Sequence, residues 1–367
     1  MKTVITSSIK KAAKFIKEGE IVAFPTETVY GLGANVYDDK SIKKIFIAKQ
    51  RPQDNPLIVH ISKIEQIESL VKKLNDCAKR IINEFFPGPI TIVLEKNDVI
   101  SELVSGGLNT IAIRMPSLEL TRKFIDECGV PLAAPSANLS GSPSPTSWRH
   151  VFNDLNGRIP CILKGPECDV GIESTVVDCT KNKPVILRPG IISLEDLKSI
   201  FPDVKIYQPK KIEKPKSPGI KYRHYSPKAK VILVDTEEDF LKFKFEKDRT
   251  AFIGFLKVTG IKKIKRVNDL RDYARNIFNF FRKCDEEKIK IIPVEEELES
   301  ILEEKVSLKN FNLILNQISA NQNLELTIQS ILKNFLQLTG SDRGIIFLFD
   351  EKKSELKPEY NIGGKTE

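Results

Sequence analysis

Short apolar runs alternate with amphipathic segments along the first 200 residues. Apolar and β-branched runs predict strands at 21–24, 57–61, 90–95, 110–115, 131–134, 159–163, 174–178 and 185–187. Apolar residues spaced three and four apart predict helices at 8–18, 41–48, 64–86 (one or two helices) and 120–128. Because strands and helices mix irregularly, the pattern predicts an α/β fold with a mixed, twisted sheet rather than repeated βαβ units.

The pattern changes twice after residue 204. Residues 205–230 are rich in Pro and Lys, which is typical of a linker. A second, smaller α/β unit follows, with strands predicted at 231–234, 250–255 and 290–293 and a helix at 269–283. From about residue 306, amphipathic helices are predicted at 311–318 and 324–338 and a strand at 345–349. We therefore expect four segments: 1–204, 205–230, 231–305 and 306–367.

Length and composition favour a globular protein of several domains. The 367 residues exceed what one core usually holds, and 41% are hydrophobic while 29% are charged. The sequence contains neither an apolar run of the roughly 18–20 residues that span a membrane nor a signal peptide at the N-terminus. Six scattered cysteines without CxxC spacing and only three histidines argue against a zinc site. We expect reduced cysteines in a cytoplasmic protein.

The net charge of +9 is unevenly distributed. Residues 1–200 are nearly balanced, with 26 basic and 23 acidic residues, whereas residues 210–230 contain eight basic residues and one acid. A short basic segment is typical of a solvated linker, which charge alone favours, or of a strap over a polyanionic small molecule.

Polar residues follow the first buried strand in IVAFPTETVYGLG. Pro25 ends the strand, and Thr26, Glu27, Thr28 and Tyr30 come directly after it. An ordinary turn with a helix N-cap would account for these residues on its own. A binding site at the mouth of the strand is the alternative.

Cations recur where strands begin or end. Lys49 and Arg51 lie two apart in AKQRPQDNPL. In TIAIRMP, Arg114 lies at the edge of an apolar strand, and in ILRPG, Arg188 follows one. Each arginine alone is more typical of a surface ion pair. Together the four cations match the charge of a nucleoside triphosphate, and the sequence has neither a GxxxxGK[ST] loop nor a strand–GxGxxG–helix unit that would bind one through its backbone.

Two polar loops and the histidines add candidates. The loops SANLSG and GIESTVVD supply hydroxyl and amide groups, although each alone is an ordinary turn. A structural role is the simpler interpretation of His60, and a surface position that of His150. His224 lies in YRHYSP, where Tyr222 and Tyr225 could stack on a base.

These motifs together resemble the YrdC/Sua5 family of threonylcarbamoyl-adenylate synthases. The segments that carry the resemblance cover residues 5–230 in order; they are FPTETVYGLG, AKQRPQDNPLIVHI, FFPGPITIVL, TIAIRMP, PLAAPSANLSGSPSPT, GIESTVVD, ILRPG and SPGIKYRHYSP. The last segment is similar to the linker of the two-domain Sua5 type. The resemblance implies a YrdC-like catalytic domain, a linker over a concave site and a Sua5-type C-terminal domain.

The resemblance also implies a reaction and its partners. L-threonine, bicarbonate and ATP, with Mg²⁺ held mainly by the triphosphate, would give threonylcarbamoyl-AMP and pyrophosphate. This is a nucleotidyltransferase reaction. The product would pass to threonylcarbamoyl-transfer proteins that modify adenosine 37 of tRNA. Direct contact with tRNA is open, and no membrane is involved.

The family's site residues carry over as three groups. Lys49 and Arg51 are implied as catalytic residues, with Lys49 beside the phosphates. The residues implied around ATP are Arg51, Asn55, Thr110, Ser136, Asn138, Ser144, Arg188 and Tyr225. Those implied around threonine are Thr28, His60, Arg114, Ala134 and Ser174. The family pattern includes no protein metal site.

The later residues depart from the family pattern. The second α/β unit resembles the Sua5 C-terminal domain without its usual closing helix, and residues from about 308 resemble the start of a GAF domain. We expect a partial GAF-like segment to expose a sheet edge. Three other functions remain as alternatives: a double-stranded RNA-binding module, a carbamoyl-transfer hydrogenase-maturation protein and a GAF-based signalling protein. The balanced charge of residues 1–200 argues against RNA binding. The missing CxxC pairs argue against the hydrogenase-maturation protein, and the shortness of the GAF-like segment argues against the signalling protein.

Overall fold

The computed structural model describes residues 1–207, 227–234, 236–242 and 246–295, together with the backbone of residues 344–350 and 355–362. Most of the linker, including Tyr222, His224 and Tyr225, lies outside the described residues. The helices predicted at 311–318 and 324–338 lie outside them as well.

The first domain is built on one mixed sheet, as the sequence predicted. Its eleven strands run in the order β1-β8-β2-β3-β7-β4-β6-β5-β9-β10-β11. The strands are β1 (Val4–Thr6), β2 (Val22–Phe24), β3 (Gly31–Asn35), β4 (Ile58–His60), β5 (Ile90–Glu95), β6 (Thr110–Arg114), β7 (Leu132–Ala134), β8 (Cys161–Leu163), β9 (Thr175–Asp178), β10 (Val185–Arg188) and β11 (Lys205–Ile206). Parallel and antiparallel pairs both occur, for example β4 with β6 and β5 with β6.

The helices of the first domain begin and end at conventional signals. Ser8 caps the first helix by accepting a hydrogen bond from the Lys11 amide, and Asn75 does the same for the Ala78 amide. The helices are α1 (Ile9–Lys17), α2 (Asp39–Lys49), α3 (Ile67–Leu70), α4 (Asp76–Phe85), α5 (Glu102–Ser105), α6 (Glu119–Cys128), α7 (Trp148–Leu155) and α8 (Leu194–Lys198).

Strand β3 was missed by the sequence prediction because glycines obscure its apolar character. Gly31 and Gly33 face the ring of Phe24 on β2, and a Cβ on Gly33 would lie 2.7 Å from that ring. The glycines therefore let the aromatic ring lie across the neighbouring strand, and the polar residues 25–30 form the loop that joins the two paired strands.

The second domain is a smaller parallel sheet in the order β12-β15-β13-β14. Its elements are β12 (Lys230–Val234), α9 (Glu237–Lys242), β13 (Ala251–Gly254), β14 (Lys263–Arg266), α10 (Leu270–Glu286) and β15 (Ile291–Glu295). Helix α10 buries Tyr273, Ile277, Phe278 and Phe281 in the core of this domain. Beyond it, β16 (Gly344–Asp350) confirms the strand predicted at 345–349 and pairs antiparallel with β17 (Glu355–Ile362).

The two faces of the first sheet differ in what covers them. Alternate residues such as Val59, Ile111, Ile113 and Val177 enter the main core beneath the helices. Their neighbours form a separate cluster on the other face, which we call the apolar patch: Ile58, Val93, Ala112, Val176 and Leu187. Side chains that follow these residues at even spacing therefore share the face of the patch.

No described helix has the length and apolar character needed to cross a membrane. The six cysteines are buried free thiols, and no cluster of metal-ligating side chains occurs among the described residues.

Candidate active site

An open cavity lies at one end of the apolar patch, and Ile58 of the patch lines it. Loops that follow β2 and β7 and precede β9 form its walls, together with the ends of β4, β6 and β10. Eight of the residues predicted for the site line it: Thr28, Arg51, His60, Arg114, Ala134, Ser136, Ser174 and Arg188. Residues distant in the sequence are thus brought together on one face of the sheet.

Arg114 is the most deeply set cation of the cavity. Its side chain is 4% exposed, its Nη2 lies 2.7 Å from Glu27 Oε1, and its Nη1 donates to Thr28 Oγ1 at 2.8 Å. Burial alone would raise the pKa of Glu27, but the charge of Arg114 and their hydrogen bond outweigh burial and lower it. The pair is therefore ionised, and Arg114 is held in a fixed orientation toward the cavity.

The Thr26–Tyr30 loop combines the two interpretations of its sequence. Thr26 Oγ1 accepts hydrogen bonds from the amides of Thr28 and Val29 at 3.2 Å, so it builds a local turn. Thr26 and Thr28 also line the cavity. Tyr30 instead points into the core, where its hydroxyl contacts the Gly165 carbonyl at 3.2 Å.

Arg188 reaches the same face because β10 contains a bulge. The register between β9 and β10 shifts after Ile186, so that Arg188 lies opposite Val176 of the apolar patch. Its Nη2 donates to the Ser174 carbonyl at 2.8 Å and to Ser174 Oγ at 3.2 Å. Ser174 Oγ also contacts Thr91 Oγ1 at 2.7 Å, and this contact fixes the orientation of the serine side chain.

The 51–56 loop curls around Arg51. Arg51 Nη2 donates to the Pro56 carbonyl at 3.0 Å and to the Asn55 carbonyl at 3.3 Å. Asn55, predicted to bind ATP, is 3% exposed and does not line the cavity. In this structure its contribution is the backbone carbonyl that orients Arg51.

Lys49, predicted to lie beside the phosphates, does not line the cavity. The side chain is 1% exposed and lies beneath the 136–140 loop, where Nζ donates to the carbonyls of Ser136, at 2.6 Å, and Asn138. Burial, reinforced by the charge of Arg51, lowers the pKa of Lys49 well below its usual range. Lys49 therefore positions this loop from below, because carbonyl oxygens there satisfy its donors.

The same loop contains two more predicted residues. Ser136 Oγ donates to Asn138 Oδ1 at 2.6 Å, and Asn138 Nδ2 donates to the Ser142 carbonyl at 2.9 Å. Ser136 lines the cavity, whereas Asn138 is 5% exposed and holds the loop together. Lys49, Ser136 and Asn138 thus form one hydrogen-bonded unit.

Thr110 and Ser144 lie apart from the other predicted residues. Thr110 begins β6 and lines a second cavity with Glu95 and Asp178, four residues and about 13 Å along the strand from Arg114. Ser144 is fully buried, and its hydroxyl donates to Glu173 Oε1. Neither side chain lines the first cavity.

Sequence reasoning missed one carboxylate in the cavity. Glu173 lines it beside Ser174 and Arg188. The signal was available, since Glu173 directly precedes Ser174 in GIESTVVD. Glu173 adds a carboxylate to a cavity that is also lined by the guanidinium groups of Arg51, Arg114 and Arg188.

His60 is uncharged at neutral pH. Burial, assisted by the charge of Arg114, lowers its pKa to about 3. Its Nδ1 lies 3.1 Å from the Ile58 carbonyl, and its ring packs edge-on against Phe24 at 5.6 Å between centroids. His60 is therefore both a structural histidine and a neutral polar group of the cavity wall.

Replacing Glu27 tests the buried ion pair. The Glu27→Gln variant leaves the Arg114 charge without its counterion, so the free energy of unfolding should fall by about 3–5 kcal/mol. Urea denaturation followed by the fluorescence of Trp148, the one tryptophan, measures this change. Glu127→Gln, which removes an exposed partner of Lys17, is the matched control and should cost less than about 1 kcal/mol. Equal losses in the two variants would contradict the assignment.

The buried neutral His60 predicts a pH dependence of stability. Its pKa of about 3 in the folded state lies below the usual 6.5. The stability that the neutral ring contributes is therefore complete above pH 6.5 and is lost as pH falls toward 3. Between pH 7 and pH 5, His60 should account for a loss of about 2 kcal/mol. In the same denaturation experiment, the free energy of unfolding of His60→Gln should fall by about 2 kcal/mol less than that of the wild type between pH 7 and pH 5. A stability difference between the two proteins that is constant with pH would contradict the prediction.

Two family models match the chain. The Sua5_yciO_yrdC model, described as telomere recombination, matches residues 14–190, and the threonylcarbamoyl-AMP synthase C-terminal domain model matches residues 192–307. Because these matches end at residue 307, the GAF-like resemblance of the later residues is not confirmed by them.

Curated relatives and a solved structure cover most of the chain. The threonylcarbamoyl-AMP synthase of Pyrococcus abyssi is 44% identical over 299 residues, which are 78% of this chain and 88% of the relative. That of Bacillus subtilis is 40% identical over 301 residues, 78% of this chain and 87% of the relative. The structure of P. abyssi Sua5 complexed with L-threonine has a TM-score of 0.79 at 41% identity and covers 88% of this chain and 98% of that one. The chain belongs to the family of Sua5, YciO and YrdC proteins.

Proposed function

We propose that the protein synthesises threonylcarbamoyl-AMP from L-threonine, bicarbonate and ATP and releases pyrophosphate. The observation that carries the proposal is the convergence of Arg51, Arg114 and Arg188 on one cavity at the end of an apolar patch. Relatives that bear the name of this synthase, and a related structure with L-threonine, support the same assignment.

Threonine is assigned to the part of the cavity around Arg114. A guanidinium group beside a hydroxyl suits a carboxylate, so Arg114 and Thr28 would bind the carboxylate of the amino acid. Neutral His60, the Ala134 backbone and Ser174 would contact the threonine hydroxyl and the carbamate. Because His60 is uncharged, it can exchange hydrogen bonds there without adding to the positive charge.

ATP is assigned along the face of the apolar patch. Arg51, Arg188 and Ser136 would contact the phosphates, and the base would lie over Ala112 and its neighbours toward Thr110. Ser144 and Asn138 would act through the loops they hold. Tyr225, in the linker, is proposed to close over the nucleotide.

The mechanism needs no covalent enzyme intermediate. The amine of threonine takes up CO₂, derived from bicarbonate, as a carbamate. A carbamate oxygen then attacks the α-phosphorus in line, and pyrophosphate leaves. Arg51 and Arg188 stabilise the charge that develops, while Lys49 keeps Ser136 in position.

Mg²⁺ bound to the triphosphate fits this cavity. Mg²⁺ in nucleotide sites is usually held by phosphates and one or two carboxylates, and Glu173 is an acid in the cavity wall. Glu173 would be the protein's ligand, oriented by the Ser144 hydroxyl. The ion would supply further neutralisation of phosphate charge.

The domain assignment follows the same proposal. Residues 1–204 would form the catalytic domain, 205–230 the linker over the site, 231–305 the Sua5-type domain and 306–367 the partial GAF-like segment. Threonylcarbamoyl-transfer proteins that act on tRNA would receive the product. Double-stranded RNA binding is the weaker alternative, because Arg114 and Arg188 are only 3% and 4% exposed and so offer little surface to the phosphates of a duplex.

Pyrophosphate release tests the proposal directly. The purified protein should release pyrophosphate from ATP only when both threonine and bicarbonate are present. Arg51→Ala should lower this rate at least about 100-fold while the protein stays folded, since losing one such charge costs about 3 kcal/mol of barrier. Arg158→Ala, on the exposed surface, is the control and should match the wild type. Near-wild-type turnover in Arg51→Ala would remove Arg51 from the site.

Glu173→Gln tests the proposed metal ligand. The variant keeps the shape of the side chain but loses its charge, so the Mg²⁺ concentration for half-maximal rate should rise about tenfold. Titration of Mg²⁺ at fixed ATP measures this, with exposed Glu167→Gln as the control from the same loop. An unchanged Mg²⁺ requirement would exclude Glu173 as a ligand.

A further inference from the structure

We propose that the second domain is a working part of the active site. Helix α10 would pack against one side of the loops whose opposite side lines the cavity, and Arg282 would be the positioning residue. This inference rests on the proposed synthase function and adds a role for the second domain in threonine binding.

Arg282 makes the central contact between the domains. The residue is 8% exposed, and its two Nη atoms donate to the two carboxylate oxygens of Asp154 on α7 at 2.9 and 2.7 Å. The same guanidinium donates to the Pro143 carbonyl. Bidentate contacts of this kind fix geometry as well as supply energy. Pro143 precedes Ser144, whose hydroxyl donates to Glu173 in the cavity wall.

A second contact lies just before Ser174. Gly171 has a φ of +82°, and a Cβ there would lie 2.4 Å from Arg275 Cα and 2.6 Å from the Ala274 carbonyl oxygen. The backbone of the 171–172 segment therefore packs directly on α10. Ile172 continues this contact, since it is 2% exposed and belongs to the core of the second domain.

The third contact reaches the loop after β2. Val29 is 6% exposed and packs in the core of the second domain with α10 residues such as Ala274 and Ile277. Val29 also lines the cavity and directly follows Thr28. One residue of this loop thus contacts the second domain and the cavity at once.

These contacts divide the cavity into two parts. Thr28, Glu173 and Ser174 lie on loops that α10 supports. Arg51 lies on the 51–56 loop. The first domain itself holds this loop, because the amide of the next residue, Leu57, donates to the Val104 carbonyl of α5 at 2.8 Å. A shift of α10 should therefore displace the threonine part of the site more than Arg51, and displacements of about 1 Å can cost about 100-fold in rate.

The test removes the guanidinium fork and keeps most of the side-chain volume. Arg282→Met should raise the KM for threonine in the pyrophosphate assay about tenfold and weaken L-threonine binding by calorimetry by a similar factor. At saturating Mg²⁺, which masks a shift of Glu173, the KM for ATP should change less than about twofold, because Arg51 is held within the first domain. Arg271→Met is the matched control, because Arg271 lies on the same helix and is exposed.

A double-mutant cycle identifies the contact. Asp154→Asn should raise the KM for threonine as Arg282→Met does, and the double variant should be no worse than either one. If Arg282→Met does not fold, Arg282→Lys, which keeps the charge without the fork, should show the same selective change in KM.

The outcomes separate this inference from the proposed function. Wild-type turnover with an unchanged KM for threonine in folded Arg282 variants would overturn the inference alone. An equal rise in both KM values would also overturn it, because that result indicates general loosening of the structure. Absence of threonine-dependent pyrophosphate release in the wild type would overturn the proposed function and this inference with it.

Discussion

The buried ion pair of Arg114 with Glu27 is the constraint on which the site depends. A guanidinium group at the end of an apolar strand loses its hydration, and several kcal/mol would be lost without a counterion. Glu27 supplies that counterion from the loop after β2, at 2.7 Å. The loop can deliver Glu27 there because Thr26 closes a turn and because glycines in β3 let the hairpin pack on Phe24. The polar residues of PTETVYG thus serve the fold and the site together.

The cations of the cavity differ in the partners that hold them. Arg114 is compensated by an acid, whereas Arg188 donates to the carbonyl and hydroxyl of Ser174, which are neutral. Neutral acceptors orient a guanidinium group without cancelling its charge. Lys49 is buried against neutral carbonyl oxygens beneath the 136–140 loop and does not line the cavity. The charge available to a triphosphate therefore comes chiefly from arginines, which stay ionised when they are partly desolvated.

The sequence was sufficient for the mixed character of the sheet, although not for β1, β3 and β11, and for the set of candidate cations, because both depend on local pattern. Mixed strands and helices predict a mixed sheet, and an arginine just beyond a strand must lie at its edge. The direction of a side chain from a helix end depends on distant residues, so the burial of Lys49 under the 136–140 loop could not be read from AKQRP. The docking of α10 on Gly171 and Val29 was hidden for the same reason. It joins residues more than 100 positions apart, and no local signal records such a contact.

The apolar patch also receives the last described residue before the gap in the linker. Ala112 lies between Arg114 and Thr110 on one strand face, so a ligand with a charged end and a flat apolar part fits this face better than a compact ion does. The chain leaves the first domain at this place: Tyr207 packs against the patch, and its amide donates to the Ile186 carbonyl at 2.8 Å. The linker therefore begins on the surface assigned to the base of ATP. The described chain resumes at residue 227, and the Lys228 amide donates to Asp285 at the end of α10 at 2.7 Å. The described residues on either side of the linker's undescribed part are thus bonded to elements that line the cavity or support its loops.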